Sequence, residues 1–246
     1  MGFKRRESMG KNRVGMVLDF SIPLLLLLAV TALFRFSELD MTIQARFYSP
    51  TYEGGFNQYA QPWYFLYEYG GLPTVCVGVV CGLLLVAGFF WRRVRGSRRS
   101  ALFTLLLLLL GPCLIANFVF KTHWGRPRPR HLLVFNPESA NPQTSMVFAP
   151  VGVSGNAGAN SSFPSGHASA AFFLIFPFFL LRRRRPGMAW LALASGIVYG
   201  GVVGLGRIVQ GGHFATDVIW AFAFVYFSGL TLYYLMGLDR EPAGSA

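Results

Sequence analysis

The chain is predicted to be an all-α membrane protein, a bundle with six transmembrane helices. Of its 246 residues 53% are apolar and only 13% are charged, and mean hydropathy is +0.45, which is outside the range of ordinary soluble domains. The apolar residues gather into six runs at or near the roughly 20 residues that a helix needs to cross a hydrocarbon core. No period-two alternation of a membrane barrel appears, so backbone polar groups must be satisfied within helices.

The first span is read over residues 17–34, behind Lys4, Arg5, Arg6, Lys11 and Arg13. Its basic start, the Leu24 to Leu28 stretch and the small Ala29 and Ala32 also fit a cleavable signal peptide. The run is long for that role and is taken as a span. Nine aromatic residues from Phe47 to Tyr67 follow in an outer loop, read as an aromatic belt at the lipid interface in preference to a substrate-recognition surface. The second and third spans, residues 70–91 and 101–120, are joined by Arg92, Arg93, Arg95, Arg98 and Arg99. Between Phe135 and Phe163 lies a stretch rich in Gly, Asn, Ser and Pro, too long for a simple connection and read as a lid. The fourth span, residues 167–181, is the shortest; Arg182 to Arg185 lead into the fifth, residues 188–206. The sixth covers residues 218–236, and a short tail runs from Asp239 to Ala246. Pro23, Pro112 and Pro177 are expected to kink their helices. The domain organisation is thus a basic N-terminus over residues 1–16, one membrane domain over 17–238 and a cytoplasmic tail over 239–246.

A net charge of +12 can mark a nucleic-acid binder, but here the basic residues sit in short clusters between apolar runs. They are not interleaved with solvent-exposed aromatics, so no nucleic-acid partner is expected. Membrane orientation accounts for them. The positive-inside rule places the N-terminal, 92–99 and 182–185 clusters in the cytoplasm. The loops at 35–69, 121–165 and 207–217 then share the outer face. Cys76, Cys81 and Cys113 are odd in number and fall inside apolar runs, giving neither a disulfide framework nor a metal-binding spacing.

Three polar segments in those outer loops carry chemistry. His213 and Asp217 are four residues apart, which on a helix entering the sixth span puts them on one face. The carboxylate can then hold one imidazole nitrogen and leave the other free as a nucleophile. A metal-ligand pair has the same spacing, but His-x-x-x-Asp lacks the further ligands of a recognisable zinc motif. Pro164-Ser165-Gly166-His167 opens the fourth span, where first-turn amides of Ser165, Gly166 and His167 can cradle an anion. Ser165 can equally be a plain N-cap. His167 suits a proton donor working near neutrality. Lys121, Arg128 and Arg207 can neutralise phosphoryl oxygens, and Pro127 and Pro129 restrict the backbone that presents Arg128. Arg126 and Arg130 are read as side chains snorkelling to the interface. Trp124 fits either packing across the site or an interfacial anchor.

Lys121 followed after six residues by Arg128-Pro129, then Pro164-Ser165-Gly166-His167, then Arg207, five residues, His213, three residues, Asp217, closely resembles the type 2 phosphatidic acid phosphatase family and its relatives, the vanadium haloperoxidases. The resemblance covers about Lys121 to Asp217. It implies a phosphohistidine mechanism without metal or other cofactor: His213 attacks phosphorus, Asp217 orients it, His167 protonates the leaving group, and Lys121, Arg128, Ser165, Gly166 and Arg207 hold the phosphate. The family usually has serine before the third-segment arginine; here Gly206 stands there. With His123-Trp124-Gly125-Arg126, the first segment looks most like bacterial members that dephosphorylate lipid A. The expected protein is therefore a multi-pass lipid phosphatase of a bacterial inner membrane with its site facing outward. Lipid A, undecaprenyl pyrophosphate, phosphatidylglycerol phosphate and phosphatidic acid are its candidate substrates. A lipid phosphotransferase and a non-catalytic lipid or anion carrier are the alternatives.

Overall fold

The Leu-rich start of the chain forms a helix that outlasts its apolar run. In the computed structural model, which describes residues 2–121, 124–137 and 161–240, α1 is continuous over Gly2–Ser37 and Pro23 lies inside it. The side chains described begin at Val14 and omit Glu53. Glu38 then takes a left-handed conformation, φ 51°. Such a conformation is uncommon for a residue with a Cβ, and it separates α1 from the short α2, Leu39–Ala45, which packs against α1 and the last helix.

The second apolar run is preceded by a helical turn that the aromatic loop itself supplies: α3, Trp63–Tyr69, leads into α4, Leu72–Phe90. The third is α5, Arg98–Leu108, continued by a π-helical stretch over Leu109–Phe120. Pro112 sits inside that stretch, where proline removes an N–H and displaces the preceding carbonyl. Its own carbonyl accepts from Asn117 Nδ2 at 2.7 Å, so the widened turn is closed by a side chain. The fourth run is broken: α6, Gly166–Phe172, a tight turn over Phe173–Ile175, and α7, Phe176–Leu181, with Pro177 in its first turn. Two long helices complete the chain, α8, Pro186–Val209, and α9, Ala215–Leu235.

No β-strand occurs among the described residues, and the chain is all-helical there. Five helical segments are long and apolar enough to cross a membrane: Val14–Ser37, Trp63–Phe90, Arg92–Phe120, Pro186–Val209 and Ala215–Leu235. The fourth predicted span falls short of that length, because Gly166–Leu181 holds 16 residues, about 24 Å of helix at 1.5 Å per residue. The protein is a multi-pass membrane protein.

Lipid offers no hydrophobic drive between apolar helices, so close van der Waals contact must hold them. The glycine stripe of α8 provides it. A Cβ on Gly196 would lie 2.7 Å from Ile175, on Gly200 2.1 Å from the Phe172 ring, and on Gly204 2.3 Å from Val218. Bare backbone here lets α8 seat against α6, α7 and α9, and a core of Phe103, Leu107, Phe172, Phe173, Phe179, Val225 and Leu230 fills the centre. Leu24, Leu25, Leu26, Val79, Leu83 and Leu191 face outward, as lipid-facing side chains do.

The helices alternate in direction, which brings the connections 92–98 and 182–185 to one end. There Arg182 pairs with Asp19 at 2.8 Å, and Tyr234 donates to the same carboxylate at 2.5 Å. The connections that carry the three polar segments meet at the other end.

Candidate active site

Arg207 lies in the last turn of α8, and Gly211 reverses the chain with φ +62°, a conformation that glycine adopts without a Cβ clash. Gly212 passes so close beneath the Arg207 guanidinium that a Cβ there would be 2.5 Å from Nη2. His213 follows, 2% exposed. The expected shared helical face is corrected: α9 begins at Ala215, so His213 stands before the helix. A helix cap makes the pair meet instead. Asp217 is the third residue of α9, and its Oδ2 accepts the Phe214 N–H at 2.9 Å while lying 3.6 Å from His213 Nδ1. That separation is longer than a formed hydrogen bond and is common in catalytic pairs without substrate.

Burial pushes the His213 imidazole down to about 4, with Arg207 and Lys121 acting in the same direction and Asp217 opposing them. The ring is therefore neutral at physiological pH. Lys121 closes the π-helical stretch half-buried. Burial, Arg128 and Arg207 hold its ammonium below the ordinary lysine range, against the pull of Asp217. Arg128 precedes the tight turn Pro129–His131 on extended backbone, and burial lowers its guanidinium too. Arg207 is 6% exposed, bonds Gln210 Oε1 and lies over the Tyr67 ring, 4.5 Å from its centroid. His167, second residue of α6, packs against the same tyrosine with its ring tilted by 33°, 4.8 Å between centroids. It is near enough to His213, Arg207, Lys121 and Arg128 to feel their charges. Six of the residues predicted from sequence thus converge at one end of the bundle: Lys121, Arg128, His167, Arg207, His213 and Asp217.

Ser165 is buried and caps α6, its hydroxyl accepting the Ala168 N–H at 3.4 Å. Its own amide donates to the Asp217 carbonyl at 3.2 Å, so of the three cradle amides expected, this one is already engaged. Gly166 and His167 stand in the first turn, whose amides have no acceptor within the helix. Gly166 admits close contact, since a Cβ there would be 2.5 Å from Asn117 Oδ1. Trp124 packs on Phe120 and Phe163, with ring centroids 5.8 and 5.1 Å away. The segment read as a lid falls largely on residues 138–160, and most of the tail on 241–246, both outside the described residues.

Two expectations about arginines are overturned. Arg126 does not snorkel: it is 1% exposed, with Nη1 2.5 Å from Asp217 Oδ1 and 2.7 Å from Thr216 Oγ1, Nη2 2.8 Å from Asp40 Oδ2, and its plane over the Phe214 ring at 4.0 Å. A guanidinium this deep in protein needs carboxylates on its fork, because breaking such a buried pair costs roughly 3–5 kcal/mol. Arg130 donates to Gln58 Oε1 at 2.6 Å and joins Arg128 and Arg207 in the wall of a cavity of about 260 Å³. Tyr59, Tyr64 and Tyr67 line it too, with Gln58, Glu68 and Gln210, so part of the aromatic loop lines the site and is not simply a lipid-interface belt.

Sequence reasoning missed α2 altogether. Asp40 and Gln44 are both wholly buried one helical turn apart. Asp40 accepts from Arg126 and from the Thr216 amide, the latter at 3.1 Å, while Gln44 Nε2 donates to the His213 carbonyl at 2.7 Å. The available signal was weak: one carboxylate just beyond a span end, where an ionisable group is costly unless paired. Among the described residues no three His, Cys, Asp or Glu side chains form a metal-ligand group.

Residues 99–241 match the PAP2 superfamily. The chain is 32% identical over 210 residues to a lipid A 4'-phosphatase of Francisella tularensis subsp. novicida (strain U112), covering 84% of this chain and 90% of that protein. It is 33% identical over 127 residues to a lipid A 4'-phosphatase of Rhizobium leguminosarum, half of each chain. Among solved structures it is similar to a transmembrane PAP2 type phosphatidylglycerolphosphate phosphatase from Bacillus subtilis, with a TM-score of 0.49, 20% identity and coverage of 91% of this chain and 97% of that one. The family match spans all three polar segments and most of the bundle around them, and the chain belongs to the PAP2 superfamily, as a membrane phosphatase acting on phosphoric esters.

Proposed function

We propose that this chain is a lipid phosphatase that removes a phosphate monoester from lipid A through a phosphohistidine at His213. The observation that carries the mechanism is a buried imidazole, neutral at physiological pH, with Asp217 at one nitrogen and Lys121 and Arg207 close by. With its proton on Nδ1 toward Asp217, His213 presents Nε2 to phosphorus. The P–N bond forms as the P–O bond to the lipid breaks, and His167 gives its proton to the departing oxygen. Water, deprotonated by His167, then cleaves the P–N bond, releasing inorganic phosphate and restoring His213. Lys121, Arg128, Arg207, Ser165 and Gly166 hold the three phosphoryl oxygens as charge moves among them.

Lipid A is favoured because the relatives at 32% and 33% identity bear that substrate in their names, and because a cavity walled by Tyr59, Tyr64 and Tyr67 beside the cations suits a ring-bearing headgroup. Gly166–Leu181 is taken as a sixth, shortened span reaching from the site towards the 182–185 arginines. Those arginines and the 92–99 cluster support the reading that the opposite end, and with it the site, lies on the outer side of a bacterial inner membrane.

The test is phosphate release by the purified protein in detergent from lipid A, undecaprenyl pyrophosphate, phosphatidylglycerol phosphate and phosphatidic acid, each with and without EDTA. Free phosphate is expected chiefly from lipid A and unaffected by EDTA. Transfer of the phosphoryl group to a lipid without free phosphate would make the chain a phosphotransferase. Binding without either product would make it a carrier. A second expectation concerns pH. Protonated His213 has no lone pair for attack, so kcat/KM on its acid side is expected to hold below the usual histidine range and fall as pH drops through about 4.

A further inference from the structure

Asp217 Oδ1 does not face solvent or a hydroxyl but a guanidinium that is itself clamped by a second carboxylate. All three groups are essentially inaccessible: Asp40 0%, Arg126 1% and Asp217 0% exposed. Among the described residues, these two carboxylates and one guanidinium carry a single net negative charge, and His213 lies at their edge, 3.6 Å from Asp217. Resting on the reading of His213 as nucleophile, we propose that Asp40 and Arg126 are positioning residues that lock the Asp217 carboxylate toward His213 and restore the negative charge which Arg126 alone would cancel.

The geometry supports both parts. Arg126 Nη1 takes Oδ1 of Asp217, which leaves Oδ2 as the oxygen turned to Nδ1 of the imidazole. Asp40 holds the other arm of the fork and also accepts from the amide and hydroxyl of Thr216, the residue before Asp217. One turn along α2, Gln44 holds the His213 carbonyl. The outer end of the first span is thereby tied to both members of the pair, so α2 sets where the turn Gly211–Phe214 sits. During attack positive charge develops on the imidazole. An Asp217 neutralised by Arg126 would stabilise that charge poorly; with Asp40 in place the cluster remains anionic.

The charged or titratable groups that face His213 are Asp217 on α9, Arg207 on α8, Lys121 at the end of the α5 segment and His167 on α6. Of these, Asp217 is the one that Arg126 contacts, so changes at Asp40 or Arg126 act on His213 through that carboxylate, which gives a signed test in the full-length protein. Asp40→Asn keeps shape and removes one negative charge, so kcat is expected to fall about 10-fold with KM changed less than about 3-fold. The acid limb of kcat/KM should move to lower pH, since the imidazolium loses support. Arg126→Gln removes the cation and should move that limb to higher pH, with a comparable fall in kcat. The double variant keeps the net charge of the three positions at minus one, now carried by Asp217 alone, and is expected to return the limb close to its original position. If Arg126→Gln does not fold, Arg126→Lys, which keeps the charge but not the fork, is expected to lower kcat without displacing the limb. Losses that track only the folded fraction, a limb that stays in place in Asp40→Asn, or a limb displaced in the double variant, would overturn the proposal. His213→Ala is run beside them: if it stays active, the nucleophile reading fails first, whereas an inactive His213→Ala with an unaltered Asp40→Asn defeats only the positioning role.

Discussion

His213→Ala is expected to reduce phosphate release by about 10,000-fold or more while the protein still folds, because without the imidazole there is nothing to accept the phosphoryl group. The substitution empties a buried position, but the surrounding fork of Arg126 with Asp40 and Asp217 does not depend on it. Detergent-solubilised yield and melting temperature should therefore change little, and no label should be trapped on the acid-quenched variant after exposure to radiolabelled substrate. Turnover near that of the parent protein would remove His213 from the mechanism and with it the phosphohistidine.

Asp217→Asn is expected to lower kcat by roughly 1,000-fold, since an amide can neither fix the imidazole tautomer nor stabilise the cation that forms on attack. Unlike the loss of His213, this change also touches the fold. The carboxylate caps α9 through the Phe214 amide and receives Arg126 at 2.5 Å. An asparagine whose carbonyl oxygen accepts from Arg126 turns its amino group to the Phe214 amide and to His213, so the cap and the tautomer are lost together while Arg126 retains Asp40 and Thr216. The stability cost is thus expected near that of one charged hydrogen bond, about 1.5–3 kcal/mol, and not that of an abandoned buried ion. The two effects separate cleanly: activity per folded molecule measures the first, thermal unfolding in detergent the second. A variant with near-normal kcat and a lowered melting temperature would make Asp217 a purely structural cap.

Much of this was legible along the chain. Composition and run length gave the helical membrane class, because a backbone in hydrocarbon has few ways to satisfy its polar groups. The spacing around Lys121, Arg128, His167, Arg207, His213 and Asp217 identified residues that do meet, since a phosphate needs cations and a nucleophile whose separations a short turn can maintain. Pro112 and Pro177 stood at real irregularities, one in the π-helical stretch and one after the tight turn that splits the fourth run.

What the sequence alone determined is therefore the helical class and the membrane setting, which follow from local pattern, and the residues of the candidate site, which follow from motif spacing and the family resemblance it carries. Only the tertiary structure decided which charges are partners. Asp40, Arg126 and Asp217 are separated by 86 and 91 residues, and nothing in their neighbours distinguishes a buried Arg126 from one that snorkels. Likewise, Tyr67 reads as an interfacial aromatic until α3 folds it against Arg207 and His167. The physical reason is common to both cases: burial and ion pairing depend on which helix ends the bundle brings together, and that is set by packing such as the bare face of α8, not by any short stretch of sequence.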